Sequence, residues 1–437
     1  MRARNLELGL LVFSTIIVVM AYIGYAARTS QLTSELRADV GGFFAIVLLL
    51  LLGAHVVIRY AAPNADGLLL PLAALLNGLG YVVILRLDPD LADSQVAWTF
   101  IGIGAFAATL LLFRDLSWVA NYRYSLALLG VILLMLPLVP GLGVNINGAR
   151  IWLRVGPFSI QPGEFAKVVL AAFLAGYLVD KKELLAISNR RVGPLNIPDL
   201  KHFGPMLLAW GVALMVMVLQ RDLGSSLLFF TLFIVMIYVA TGRTAYVVTG
   251  GVLFVIGALV SWQLFSHVQR RVDIWIDPYE DPKGAGFQIV ESAFALADGG
   301  ITGTGLGGGL PNKIPFAPTD MIFAAIGEEL GLLGATGVLA AFMFFVSSGF
   351  RVAATAPRPF EKLFAAGLTA LLGFQAFIII GGVLRVLPLT GVTLPYVSYG
   401  GSSLISNYIV LAILIRISDS TPAVPSSDAH VTVKAAA

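Results

Sequence analysis

The chain has 437 residues, 58% hydrophobic and 12% charged, with a mean hydropathy of +0.89 and a formal net charge of +3. A soluble domain carries about 25% charged residues, so these values exclude a water-soluble globule and indicate a polytopic membrane protein. The lack of cysteine excludes disulfides, thiolate metal ligands and a cysteine nucleophile.

A spanning helix needs about 20 apolar residues. Twelve segments answer to that: 8–27, 41–59, 67–85, 96–113, 124–142, 162–180, 205–219, 225–241, 245–264, 319–348, 363–384 and 399–416. The first follows Arg2 and Arg4 and is too long for a secretory signal, so it reads as a retained anchor. The knot Gln220-Arg221-Asp222-Leu223-Gly224 separates 205–219 from 225–241, because a polar turn is cheap at the surface and costly in mid-membrane. Twelve spans place both termini on one side. With that side cytoplasmic, sixteen Lys and Arg fall inside and eleven outside, which obeys the positive-inside rule. The tail 418–437 is polar, punctuated by proline and expected to be disordered.

Several of the eleven outer cations sit in two polar loops, 143–160 and 266–318, which makes these loops candidates for function. Asp320 stands where the long loop meets the next apolar segment. With Thr319 it suits a helix N-terminus, so it reads either as a cap or as a general base at the membrane boundary. Glu328 and Glu329 lie about two turns deeper, and intramembrane carboxylates usually face a partner or a wet cavity. Glu164 and Lys167, at i and i+3 after Gln161-Pro162, share a helix face in pairing range. They form a structural ion pair, the lining of a cavity beneath the outer loops, or both. Arg150, Arg154, Arg270, Arg271 and Lys313 suit a substrate bearing a pyrophosphate, against the plainer reading of solvated loop faces. Gly303–Gly308 matches G-x-G-x-x-G, but no βαβ unit surrounds it, so a dinucleotide site is discarded. Ser398 and Ser402 belong to PYVSYGGSS, which opens the last span with small residues that permit close packing. The four histidines show no metal-ligand spacing.

Five stretches together resemble the SEDS family (shape, elongation, division and sporulation), typified by RodA and FtsW. They are NGARIWLRVGPFSIQPGEFAK (147–167), QRDLGSS (220–226), DPYEDPKGAGFQIVESAFALADGGITGTGLGGG (277–309), PTDMIFAAIGEELGLLG (318–334) and LPLTGVTLPYVSYGGSS (387–403). Gly163 replaces the usual serine of Q-P-S-E, Arg221 the proline of Q-P-D-L-G, and Met321 the phenylalanine of T-D-F-I-F. Phe316 stands where glutamate is common.

The resemblance implies an all-α polytopic fold of about twelve transmembrane helices. Two extra helices (1–66) precede a ten-helix core (67–417) with the extracytoplasmic loop 266–318, and a cytoplasmic tail follows (418–437). It implies a peptidoglycan glycosyltransferase of the cytoplasmic membrane that polymerises lipid II, in elongation or division, beside a class B penicillin-binding protein. The family's essential aspartate falls on Asp320 and its cavity pair on Glu164 and Lys167. With these go Arg150, Lys313, Arg154, Arg270, Gln161, Ser398 and Ser402 as candidate substrate contacts. A divalent cation, Mg²⁺ or Mn²⁺, is the expected cofactor, with Asp281 as candidate ligand. No organic cofactor and no nucleic acid are expected. The rival readings are a lipid II carrier and a non-catalytic scaffold for the transpeptidase.

Overall fold

The computed structural model describes residues 2–28, 34–146, 148–156, 158–186, 190–192, 195–197 and 204–420. The expected tail lies outside these beyond Ser420, as do Asn147 and Lys201. Each of the twelve apolar segments is helical. In chain order they are α1 (Arg2–Arg28), α2 (Ser34–Ala61), α3 (Leu69–Leu87), α4 (Pro89–Leu112), α6 (Arg123–Met135), α7 (Pro162–Ala186), α8 (Gly204–Leu219), α9 (Leu223–Thr241), α10 (Thr244–Leu264), α13 (Ile322–Thr355), α14 (Pro359–Val383) and α15 (Gly401–Asp419). Among the described residues nine are long and apolar enough to cross a membrane by themselves, and α8 has 16 residues. A short helix, α5 (Ser117–Asn121), precedes α6.

The helices pack through small residues, as membrane bundles do where backbones must approach closely. A Cβ on Gly102 would come within 2.7 Å of the Tyr408 ring, and one on Gly130 within 2.6 Å of Leu170, joining α4 to α15 and α6 to α7. On one face, charged ends tie the chain's two extremities together. Arg4 pairs with Glu7 and donates to the Ala65 carbonyl, Glu7 meets His55 at 2.7 Å, and Arg416 donates to the Ala61 carbonyl at 2.6 Å. The Asn64 N–H donates to Asp419 at 2.8 Å. Both described ends therefore share a face, as an even number of spans requires.

The loops carry structure that hydropathy did not reveal. Residues 143–160 form a three-stranded antiparallel sheet, β1 (Gly143–Ile146), β2 (Ala149–Val155) and β3 (Phe158–Ile160). A second pair, β4 (Arg190–Val192) and β5 (Leu195–Ile197), lies in the loop after α7. The polar loop 266–318 contains α11 (Ser266–Ile276) and α12 (Phe287–Gly299). Helix α13 begins at Ile322, not 319, and breaks at Gly331, whose φ of 65° and ψ of −168° a side chain would resist.

Candidate active site

Asp320 lies in a run of turns just ahead of α13. The N-cap of that helix is Met321, and no side chain caps it. The structure thus sets aside the capping reading: the Asp320 carboxylate is not spent on helix N–H groups. Its backbone is held firmly. The amides of Thr319 and Met321 both donate to the Phe316 carbonyl (3.0 and 3.3 Å), and Phe316 has a φ of 58°. Ser398 Oγ donates to the Thr319 carbonyl at 2.5 Å and accepts the Leu394 N–H at 2.9 Å, while the Tyr399 N–H donates to the Pro318 carbonyl at 2.9 Å. The side chain is half-buried. Burial pushes its carboxyl up to about 6, against the opposing effects of the Arg271 charge and the Thr319 hydroxyl. A carboxylate with that pKa is mostly ionised at neutral pH and still basic enough to take a proton.

The segment between α14 and α15 backs this carboxylate. It turns at Arg385 (φ 59°) and Gly391 (φ 75°), the first a conformation that costs a side chain about 1 kcal/mol or more. Helix α11 is amphipathic and docks onto this segment. Trp275 Nε1 donates to the Arg385 carbonyl at 3.0 Å, and Arg385 Nη2 donates back to the carbonyls of Trp275 and Ile276, each at 3.2 Å. Arg271 Nη1 donates to the Leu389 carbonyl at 2.5 Å. A Cβ on Gly391 would sit 3.5 Å from Asp320 Oδ2 and 3.8 Å from Arg271 Nη2. Gly391 therefore lies against both the carboxylate and the guanidinium. Burial works against the Arg271 charge, and Asp320 and Asp222 sustain it.

A second polar group lies deeper. Pro162 starts α7, and Glu164 and Lys167 share its face at 2.9 Å. Both are buried. Lys167 Nζ also donates to Gln375 Oε1 at 2.9 Å, and Gln375 Nε2 donates to the Thr393 carbonyl at 2.8 Å. The Gln161 N–H donates to Ser402 Oγ, and Ser406 Oγ to the Glu164 carbonyl, at 2.9 and 2.8 Å. Asp222 caps α9 by accepting the Ser225 N–H at 2.9 Å. Burial raises its pKa, and the Lys167 charge lowers it. Asp222 lines a small cavity with Ile151, Gln161, Gly163 and Gln220. The segment 385–400 touches both groups: Leu389 and Gly391 on the Asp320 side, Thr393 on the Lys167 side.

The remaining candidates are spread along the same face. Arg150 and Arg154 alternate on β2 with Ile151, which faces the Asp222 cavity, so they share the other side of the sheet. Arg270 is exposed in a groove with Asp273, Asp277 and Asp281, whereas its neighbour Arg271 turns towards Asp320. Lys313 is exposed on a short 3₁₀ turn and acts on the Glu328 charge. Asp281 Oδ2 accepts the Ala285 N–H at 2.8 Å. Among the described residues no group of three or more His, Asp or Glu could hold a metal ion.

Two residues of the site, Asp222 and Gln375, are not among the candidates the sequence offers. Arg271 is among them together with Arg270, and only the register of α11 separates the two. Asp222 sat in a knot read as a turn. Gln375 is an uncharged residue inside an apolar span, where the signal was its polarity alone.

The chain is similar to known proteins along most of its length. The cell cycle protein family FtsW/RodA/SpoVE matches residues 67–422. The peptidoglycan glycosyltransferase RodA of Mycobacterium tuberculosis is 44% identical over 427 residues, 95% of this chain and 90% of that one. Stage V sporulation protein E of Bacillus subtilis is 34% identical over 367 residues, 81% of this chain and 97% of that one. Among solved structures, a chain of a peptidoglycan synthase complex that coordinates polymerization and crosslinking superposes with a TM-score of 0.65 at 31% identity. It covers 81% of this chain and 97% of that one. The rod shape determining protein RodA of Thermus thermophilus gives 0.54 at 27% identity, covering 81% and 96%.

Proposed function

Because the chain belongs to the FtsW/RodA/SpoVE family, we propose that it is a membrane-embedded peptidoglycan glycosyltransferase that extends glycan strands from lipid II, a disaccharide-pentapeptide on undecaprenyl pyrophosphate. The observation that carries this is Asp320: a half-buried carboxylate, not used as a cap, with its pKa raised and a guanidinium behind it. The acceptor is the 4-hydroxyl of a terminal N-acetylglucosamine. Asp320 takes its proton as the oxygen attacks C1 of the donor N-acetylmuramic acid, and the bond from C1 to the pyrophosphate oxygen breaks. Direct displacement inverts the anomeric centre, turning an α-linked donor into a β-linked strand. A positioned base of this kind contributes about 10²–10⁴-fold.

Negative charge grows on the departing undecaprenyl pyrophosphate. Arg271 is the cation closest to the base, and Arg150, Arg154, Arg270 and Lys313 on the same face suit the phosphates. Lys167, held by Glu164 and Gln375, fixes the floor of the site. A Mg²⁺ or Mn²⁺ ion would arrive with the pyrophosphate, since Mg²⁺ commonly takes one or two carboxylates plus substrate phosphates. Asp281 offers one such carboxylate, and no step above depends on it. In this reading the face bearing Asp320 is extracytoplasmic and both termini are cytoplasmic. The partner is a class B penicillin-binding protein, a proposal supported by the structural likeness to a complex that joins polymerization to crosslinking. Asp320 and the candidate cations gather at one end of the helices and not midway along them, which suits transfer chemistry better than a carrier.

The test is purified Asp320→Asn with lipid II and the partner present. Burial raises this pKa from 3.8, so ionised Asp320 costs the folded chain stability above about pH 4. Asparagine removes that cost, and the variant folds. Expected is loss of about 10²-fold or more in polymer formation. Full-length glycan from the folded variant would end the assignment.

A further inference from the structure

Helices α1 and α2 precede residue 67, where the family match begins. Their inner ends hold the Arg4–Glu7–His55 cluster. Their role at the other face is read from Arg28, the last residue of α1. Arg28 Nη1 donates to the Thr304 carbonyl in the glycine run after α12. A Cβ on Gly305 would meet the same guanidinium, at 2.8 Å from Nη1, 2.9 Å from Cζ and 3.2 Å from Nη2. Further down α1, Val18 packs with Val82 of α3 and Leu306 of the glycine run, a hydrophobic cluster separate from the main core. One charged contact and one apolar seat thus join α1 to the same few residues.

The opposite wall of this loop is the break in α13. The amides of Thr304 and Gly305 donate to the carbonyls of Glu328 and Glu329, both at 2.9 Å. Past the break, the Leu332 N–H donates to the Gly300 carbonyl at 2.9 Å. Glu328 Oε1 accepts the Leu310 N–H at 2.6 Å, and Arg86 bridges Glu329 (3.0 Å) and the Gly309 carbonyl (3.1 Å). A glycine-dense segment has many conformations to lose and few side chains to hold it. It needs walls on both sides, and α1 supplies the second. From this loop the chain runs through Lys313 directly to Asp320.

We infer that α1 is a strut, and that Arg28 is a positioning residue for glycosyl transfer which sets the glycine loop, and through it Lys313 and Asp320. This rests on the function proposed above. The full-length chain is reconstituted as wild type, Arg28→Ala and Arg28→Lys. Amide hydrogen exchange is measured over 301–310 and polymerisation kinetics on lipid II. Loss of a charge-assisted bond predicts that Arg28→Ala speeds exchange at 303–310 about tenfold while α14 and α15 keep wild-type rates. It predicts a kcat about fivefold lower with an unchanged KM, as misplacement of a catalytic group does. Arg28→Lys keeps a charged donor and restores both. Wild-type exchange at 303–310 in Arg28→Ala overturns the strut, and faster exchange with unaltered kcat overturns the positioning role. If wild type itself makes no polymer, the transferase reading fails, and exchange still decides the strut.

Discussion

The Arg271 charge opposes the rise that burial imposes on the Asp320 carboxyl, and replacing it gives the sharpest test of the proposed site. A Cβ on Gly391 would lie 3.5 Å from Asp320 Oδ2 and 3.8 Å from Arg271 Nη2, so the two charges are about 7 Å apart or closer. At an effective dielectric of about 20, unit charges at that distance interact by about 2.4 kcal/mol, or about 1.7 pKa units. Asp320 already titrates at about 6. Its working form is the anion, so activity is present above this pKa and lost as pH falls through it. Removing the Arg271 charge raises the pKa and moves the acid limb of kcat/KM to about 7.5, less by whatever solvent screens the pair. Arg271→Gln is then about eightfold slower than wild type at pH 6.5 and close to it at pH 9, once any pH-independent loss from the broken bond to the Leu389 carbonyl is divided out. Arg271→Lys retains the charge and leaves the limb near 6. The assay is lipid II polymerisation by the purified complex from pH 5.5 to 9. A limb at the same pH in Arg271→Gln and wild type, whatever the overall rate, would refute the claim that Asp320 ionisation limits the reaction.

Two further substitutions probe the scaffold. Glu164→Ala leaves Lys167 buried with only Gln375 Oε1 as partner. An uncompensated buried charge costs about 3–5 kcal/mol, so thermal unfolding in detergent should show a large fall. Adding Lys167→Met to it should restore most of the loss, and a double variant as unstable as the single would count against the ion pair as the cause. Gly391→Ala keeps ordinary contact distances but places a side chain at a φ of 75°, costing about 1 kcal/mol. Gly391→Val adds bulk against both Asp320 and Arg271 and should abolish polymer. Wild-type turnover by Gly391→Val would show that position 391 is remote from the reacting groups.

The spans were legible because a membrane enforces one rule throughout: about 20 apolar residues, with polarity at the ends. Even the division at Gln220–Gly224 corresponds to the break between α8 and α9. The loops obey no such rule. In β2 the alternation of Ile151, Leu153 and Val155 with Trp152 and Arg154 was present, but it is short and lies beside strong helix signals. Motif order identified the loops around Asp320, yet could not tell Arg270 from Arg271, which differ by about 100° around one short helix. Backbone conformation was less visible still. Arg221 replaces the family's proline and has a φ of 61°, which a proline ring, locked near −65°, cannot adopt. The turn leading to Asp222 therefore differs here from one built on proline, and sequence alone shows only the substitution.

The location of the site follows from the same physics as its construction. In the reaction proposed above both substrates are anchored in the bilayer by long chains, so only their sugar heads need to meet, and a base at the membrane boundary would meet them there. Such a base must be dry enough for its pKa to rise, yet open to a bulky glycan. Asp320 meets this by its position two residues ahead of α13, half-buried against the segment 385–400. That segment can support it because its other side is tied into the bundle: Thr393 to Gln375 and Lys167, Gly400 and Gly401 to the start of α15. The charges of α7 thus sit where loss of either would loosen the loop behind the base. Activity lost on altering Glu164 or Lys167 is accordingly expected with an unmoved acid limb, whereas Arg271 moves it, and the two kinds of residue separate on a single pH profile.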